Sequence, residues 1–309
     1  MRVLVTGASG FVGSRLMGRL ADAGHDPWGT TFDAAETPPA VGRWVALDLR
    51  APDDVARVVE EVGAEAIVHL GGLSHVGRSW SAIGEYFRTN VLGTRNLLTA
   101  AGAARVIVAS SAEVYGAVPD AEQPIVESRE PMPQSPYAMT KAAGELLAVP
   151  KGAIVVRPFN LVGPGQSVDF ALPAFARQLA LIREGRKEPV LAVGNLAARR
   201  DFLHVDDAIE AYLSLLEEGR PGEIYNLGSG RAWSIEAALR RLMELSGVEA
   251  NVEVDPERLR PVDVPQLCAD CSRLWALGWR PERSLDGALK DLWEETLRHV
   301  SATEPAEAS

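Results

Sequence analysis

The chain has 309 residues, 24% of them charged and 47% apolar, enough to bury a substantial core as one large or two closely joined domains. With 31 Lys and Arg against 42 Asp and Glu, its formal charge of −11 disfavours nucleic-acid and anionic-membrane partners, whose surfaces attract basic stripes. No stretch approaches the roughly 20 apolar residues of a membrane span, and Met1-Arg2-Val3-Leu4-Val5-Thr6-Gly7 is too short an apolar run for a signal peptide, so a cytoplasmic location is expected.

Apolar runs at 3–6, 27–32, 44–47, 66–70, 106–110 and 154–157 predict strands. Helix-period stretches near 11–23, 52–62, 84–101 and 136–149 fall between them. Such alternation predicts an α/β fold: a Rossmann-type, doubly wound parallel sheet that binds ligands at the carboxyl ends of its strands. The second half is less regular, with helices expected near 170–184, 205–218, 234–246 and 285–299, broken by Pro/Gly segments at 161–166 and 219–222. The expected organisation is a cofactor domain over 1–160, with a return segment at about 195–227, and a smaller α/β substrate domain over the rest of 161–309. Cys268 and Cys271 form a lone C-x-x-C in a strand-to-helix connection. That is half the ligand set of a structural zinc, so two free thiols and no metal are expected. Residues 301–309 are small and polar and predict a frayed tail.

Thr6-Gly7-Ala8-Ser9-Gly10-Phe11-Val12-Gly13 follows the first strand and opens the first helix. Gly7 permits the tight turn, Gly10 lets backbone approach a pyrophosphate at the positive helix end, and Gly13 allows close helix-to-strand packing. The segment is therefore expected to hold a dinucleotide, with Ser9, Phe11 and Val12 beside it. At the end of the second strand, Gly29-Thr30-Thr31-Phe32-Asp33 carries an acid but no nearby arginine. Asp33 would repel a 2′-phosphate, which favours NAD(H) over NADP(H), although it reads equally well as a solvated turn residue.

Tyr137 and Lys141 stand one turn apart at the start of a helix behind Ser135-Pro136 and share a face. An ammonium beside a phenol stabilises the phenolate, so a lowered Tyr137 pKa and acid–base work near neutrality are expected. Residues 106–116 form an apolar strand ending in Ser110 and Ser111, about 26 residues before the tyrosine.

In this order, the G-x-x-G-x-x-G segment, Ser111 and Tyr137-x-x-x-Lys141 resemble the extended short-chain dehydrogenase/reductases, the NAD-dependent epimerase/dehydratase family. The resemblance implies that Ser111 bonds the substrate oxygen, whereas Ser110 faces the sheet. It also implies cofactor contacts at Asp48 and Leu49, at Leu70, Gly71 and Gly72 after His69, and at Asn90, Phe159, Tyr137 and Lys141. Asp48 has a second reading, as the cap of the helix entering near Pro52.

Across the second half, 157–166, Arg177, Arg199-Arg200-Asp201-Phe202 and 255–264 resemble GDP-4-keto-6-deoxy-D-mannose reductases and the related GDP-mannose 4,6-dehydratases. An anionic diphosphate on an acidic protein needs a local guanidinium cluster, for which Arg200 and Arg260 are the best candidates, followed by Arg177 and Arg199. The resemblance places Asn160 beside substrate and cofactor, Ser74, His75 and Val76 facing the hexose, and Asp263 where relatives carry Glu for the nucleoside ribose. His75 reads either as a proton donor or hydrogen-bond partner, or as a packed loop residue.

Glu113, two residues after Ser111, resembles the base with which dehydratases abstract the C5 proton. The Gly163-Pro164-Gly165-Gln166 loop and the absence of arginines near Phe32 argue instead for a reductase. Reduction of a GDP-linked 4-keto-6-deoxyhexose to a GDP-6-deoxyhexose, GDP-rhamnose if the match is close, is therefore expected. The alternatives are the dehydratase, a nucleotide-sugar 4-epimerase and a non-catalytic NAD-binding scaffold. Helices like 84–101 and 136–149 pair in relatives, which implies a homodimer.

Overall fold

The computed structural model describes residues 1–32, 41–259 and 263–303. The first half forms β1 (Arg2–Thr6), α1 (Phe11–Asp22), β2 (Asp26–Thr31), β3 (Arg43–Ala46), α2 (Pro52–Val62) and β4 (Ala66–His69). Two short turns follow, α3 (Val76–Ser79) and α4 (Ile83–Tyr86), then a π-helical segment (Phe87–Leu92), α5 (Gly93–Ala100) and β5 (Arg105–Ala109). Next come α6 (Pro136–Ala148), β6 (Ile154–Pro158), β7 (Asn160–Val162), α7 (Ala171–Arg183), β8 (Val190–Val193) and β9 (Arg199–His204). The chain ends through α8 (Val205–Glu218), β10 (Ile224–Leu227), β11 (Ala232–Ser234), α9 (Ile235–Ser246), β12 (Asn251–Val254), β13 (Gln266–Leu267), α10 (Ser272–Trp275) and α11 (Leu285–Ala302).

Seven parallel strands form the main sheet in the order β10-β6-β5-β4-β1-β2-β3. Strand order reverses between β1 and β4, so the loops that follow Thr6 and His69 flank the crevice where such sheets take ligands. Alternation along β1 shows how the sheet is buried on both sides. Val3 and Val5 pack with Leu16, Met17 and Leu20 of α1 and with Ile209 and Tyr212 of α8, whereas Leu4 points to Val55, Val58 and Val62 of α2 and Leu97 of α5. A second core joins α7, α9 and α11 through Phe175, Leu179, Leu239, Leu242, Leu289 and Trp293. It stands over the smaller sheet β11-β9-β13, with β7 paired to β9.

Two expectations are corrected. Helix 84–101 is interrupted by the π-helical turn, because Asn90 turns inward to bond the Leu73 backbone and Gly93 lies against Leu49, where a Cβ would sit 3.0 Å from the Leu49 Cβ. The expected tail at 301–309 begins later: α11 continues through Ala302, and residues 304–309 lie outside the described residues. Cys268 and Cys271, between β13 and α10, are buried free thiols. Among the described residues, no helix is long and apolar enough to cross a membrane.

Candidate active site

The glycine segment makes a cradle in which a side chain would not fit. Gly7 has φ +69°, and a Cβ there would lie 2.8 Å from the Gly71 backbone; one on Gly13 would overlap the Gly7 carbonyl oxygen. Helix α1 starts at Gly10 with no side-chain cap, so its N-terminal N–H groups remain available to an anion such as a pyrophosphate. The cradle therefore fits a dinucleotide.

Around it the ends of β1 and β4 are tied into the helical layer by a single run of hydrogen bonds. Gly71 N–H donates to Thr6 Oγ1 at 3.1 Å, and Thr6 Oγ1 lies 2.7 Å from His69 Nδ1. On the other side of the ring, His69 Nε2 is 3.0 Å from Thr94 Oγ1, which donates its one proton to the Asn90 carbonyl at 2.6 Å. His69 must then carry its proton on Nε2 and accept at Nδ1. Burial pushes its pKa down to about 3, the neighbouring Lys141 charge acting the same way. Asn90 is engaged at both ends of its amide, donating to the Leu73 carbonyl and to Thr140 Oγ1 at 3.0 Å each and accepting from the Leu73 N–H at 2.8 Å. Asn90 thus braces the Gly71–Gly72 loop from behind.

Ser111, Tyr137 and Lys141 converge at the end of β5 and the start of α6. Ser135 caps α6 by accepting from the Ala138 N–H at 3.1 Å, with Pro136 in the first turn, which fixes where the tyrosine points. Tyr137 is buried, hydrogen-bonded to Ser111, and edge-on to Tyr86 at 6.4 Å. Its pKa departs from the expectation: burial pushes it up to about 12, the Ser111 hydrogen bond opposing and the Glu113 charge adding to the rise. The phenol is cut off from solvent, and the ammonium that was expected to lower its pKa is directed to the Ala109 carbonyl. Lys141 Nζ donates to the Ala109 carbonyl at 2.8 Å, and burial pulls its own pKa down to about 8. Ser110 points into α6 and donates to Glu145 Oε1 at 2.5 Å. Phe159 is buried against Tyr115, their centroids 6.3 Å apart.

At the adenosine end, Asp48 is not the cap of α2, which starts from Ala51; its carboxylate takes Arg50 Nε at 2.8 Å and Nη2 at 2.8 Å. That contact holds the Asp48 carboxyl below its ordinary range. Leu49 packs against Gly71 and Gly93. The Arg50 guanidinium lies 5.0 Å from the Phe32 ring centroid, so a cation does stand beside the end of β2. One of the sequence grounds for preferring NAD(H) and for disfavouring a dehydratase, the absence of an arginine near Phe32, does not hold. Asp33 lies outside the described residues.

A cleft of about 360 Å³ opens between the main sheet and the second core, lined by His75, Asn160, Phe170, Asn195, Arg200, Arg258 and Asp263 among others. Arg200 is buried and donates to the Val264 carbonyl at 2.7 Å and to Asp263 Oδ1 at 2.7 Å, while Asp263 Oδ2 accepts from Asn195 at 2.7 Å. His75 caps α3 by accepting from the Arg78 N–H at Nδ1, and its carbonyl accepts from Tyr86, which places the cleft one residue away from Tyr137. Ser74 is exposed and Val76 opens α3.

Arg177 does not reach the cleft: it is exposed on the outer side of α7, whose opposite face buries Leu172, Phe175, Ala176 and Leu179. Arg199 is exposed and bonds the Ala232 carbonyl, and Arg260 lies outside the described residues. Sequence reasoning missed Arg258, Asn195, Phe170 and Arg50. Arg258 stands two residues before Arg260 in a stretch already singled out; the others carry no local signal. Glu113 is partly buried, close enough for its charge to act on Tyr137.

Residues 3–228 match the model of the NAD dependent epimerase/dehydratase family. The chain is 35% identical to the GDP-6-deoxy-D-mannose reductase of Pseudomonas aeruginosa, over 96% of this chain and 98% of that protein. Among solved structures, Pseudomonas aeruginosa RMD complexed with NADPH superposes with a TM-score of 0.83 at 34% identity, covering 96% of this chain and 99% of that one. The Thermus thermophilus UDP-glucose 4-epimerase complex with NAD gives a TM-score of 0.85 at 28% identity, covering 96% and 99%.

Proposed function

The chain belongs to the NAD dependent epimerase/dehydratase family and is an NAD(P)-dependent nucleotide-sugar oxidoreductase, and on that premise we propose that it reduces the 4-keto group of GDP-4-keto-6-deoxy-D-mannose. The product is a GDP-6-deoxyhexose, GDP-rhamnose on the reading adopted here. The observation that carries the proposal is the convergence of Ser111, Tyr137 and Lys141 beside the cradle, where the buried phenol, hydrogen-bonded to Ser111, stands as the proton donor that reduction of a ketone needs. The similarity to the Pseudomonas reductase points the same way.

A reduced nicotinamide held in the cradle would supply the hydride. Gly7, Ser9, Gly10, Phe11, Val12 and Gly13 hold its pyrophosphate, and Asp48, Leu49, Leu70, Gly71, Gly72 and Phe159 line its path. Lys141 would hold the nicotinamide ribose, its ammonium kept in position by the Ala109 carbonyl. Ser111 orients the sugar carbonyl, and Tyr137 passes its proton to the alkoxide oxygen as it forms. Arg200 and Arg258 face the diphosphate, with Asn160 and His75 at the hexose and Asp263 toward the nucleoside. Residues 1–160 and 195–227 carry the cofactor, and the remainder of 161–309 carries the sugar nucleotide.

A second reading, the dehydratase, is favoured by Glu113 alone, whose charge reaches Tyr137 from the strand end that carries Ser111. Separate incubations with GDP-mannose and with GDP-4-keto-6-deoxymannose plus NADH or NADPH decide between the two. Consumption of reduced cofactor with the keto sugar only, abolished roughly a thousandfold by Tyr137→Phe, is the expected result. Formation of the keto sugar from GDP-mannose would install Glu113 as a base and overturn the reductase.

For the subunit arrangement the reading is a homodimer through α5 and α6, supported by exposed apolar side chains around those helices: Phe87, Leu92, Met139 and Leu146.

A further inference from the structure

Beneath the tyrosine and lysine lies a buried ion pair that the proposed reaction does not use. Glu145, one turn beyond Lys141 on α6, accepts from Arg157 Nε at 2.9 Å and from Nη2 at 2.6 Å, and also from Ser110 Oγ at 2.5 Å. The side chains of Glu145 and Arg157 are 5% and 2% exposed. Arg157, on β6, donates from Nη1 to the Glu127 carbonyl at 3.2 Å and lies 4.7 Å from the Tyr115 ring centroid. Tyr115 in turn donates to Asn226 Oδ1 at 2.6 Å on β10, and the Asn226 N–H donates to Glu127 Oε1 at 3.0 Å.

Three pieces of the site therefore meet at one carboxylate: the strand end carrying Ser111, the helix carrying Tyr137 and Lys141, and the strand that leads to Asn160. We propose that Glu145 is a positioning residue of the active site: clamped by Arg157 and Ser110 where β5, α6 and β6 meet, its carboxylate sets the electrostatic surroundings in which Lys141, one turn away, works. This rests on the reductase reading for the role of Lys141.

Stability alone is a poor reason for such a pair, since a well-packed apolar replacement of a buried ion pair is often neutral or better. The surroundings of Lys141 leave Glu145 a distinct task. From β4 it meets His69, which is neutral; from the π-helical segment, the Asn90 amide; from β5, the Ala109 carbonyl; on its own helix, the protonated Tyr137, with Glu113 acting on that phenol. Burial pulls the lysine down to about 8, and the Glu145 charge opposes that fall. Arg157 fixes that carboxylate in place through two hydrogen bonds. The sign follows: without Glu145 the ammonium is lost at lower pH, and an enzyme that needs it charged fails first on the alkaline side.

The test compares Glu145→Gln, Glu145→Asp and the double variant Glu145→Leu with Arg157→Met, which leaves neither charge orphaned if the single Gln variant fails to fold. Two profiles are measured between pH 6 and 9: kcat/KM on the keto sugar, and NADH and NADPH affinity from nicotinamide fluorescence. In Glu145→Gln and in the double variant, both profiles are expected to lose their alkaline limb at lower pH, so that the defect at pH 8 exceeds that at pH 6 roughly tenfold. Glu145→Asp restores part of it. A loss equal at every pH, or no loss, overturns the proposal and reduces the pair to a brace. If the unaltered protein turns over no keto sugar, the reductase reading has failed, and the binding profiles alone decide on Glu145.

Discussion

Arg50 shows how one side chain can change the reading of a whole subsite. It is adjacent in sequence to the Asp48-Leu49 pair, yet its guanidinium lies over Phe32, at the strand end where a dinucleotide-binding fold places the adenosine ribose. Its bidentate contact with Asp48 is exposed and therefore weak, leaving the cation able to turn to a phosphate. Arg50→Ala is expected to weaken NADPH binding about tenfold while changing NADH binding little, as read by fluorescence titration. An equal loss for both cofactors would make Arg50 an adenine platform instead. At this scale, the legible residues were those whose chemistry depends on short spacing: Gly7, Gly10 and Gly13 on one turn, Tyr137 and Lys141 on one helix face. The state of Tyr137 was not legible, because its pKa is governed by its burial rather than by the lysine four residues on. Arg258 and Asn195 reach the cleft through long-range packing, for which one chain offers no local pattern.

Apart from β10, which was not singled out as a strand, the strands and helices of the main sheet could be read to within about a residue or two, because each carries its own period and its own boundary signals, such as Pro52 and Pro136 at helix starts. The stretch at 84–101 was the exception. Its apolar period runs on unbroken, and the interruption comes from Asn90 choosing the Leu73 backbone and Thr140 over solvent. That choice makes the π-helical turn the anchor of the Gly71–Gly72 loop. Asn90→Ala is expected to lose about 2 kcal/mol of stability, since it leaves the Leu73 N–H and carbonyl buried without partners. Calorimetry would register it as a lower melting temperature, and NAD(P)H affinity would fall with it. An unchanged melting temperature would mean that the loop is held without the asparagine.

Across the molecule, exposed large apolar side chains are scattered, but Phe87 and Leu92 of the π-helical segment and Met139 and Leu146 of α6, the last of them 78% exposed, stand on neighbouring elements. An isolated exposed leucine needs no explanation, whereas several on neighbouring elements are what the proposed homodimer would cover. Leu146→Lys is expected to shift sedimentation from dimer to monomer, and α6 would carry the consequence into the Tyr137 site. A variant that still sediments as the unaltered protein does would place any interface elsewhere. The overall architecture was legible as alternation of strands and helices; how the second half would interleave with the first was less so, because β7 and β9 are too short or too polar to announce which sheet they join.

That interleaving bears on how the protein is made. The strand at the edge of the main sheet, β10, is hydrogen-bonded to β6, yet some 65 residues of chain, including all of α7, β8 and β9, are synthesised between the two. Asn226, which ties Tyr115 and the Glu127 loop together, arrives on that last strand. A nascent chain emerging from the ribosome therefore holds Ser111, Tyr137 and Lys141 long before it can close the sheet that supports them, and must keep the open edge of β6 shielded until residue 227 has been delivered.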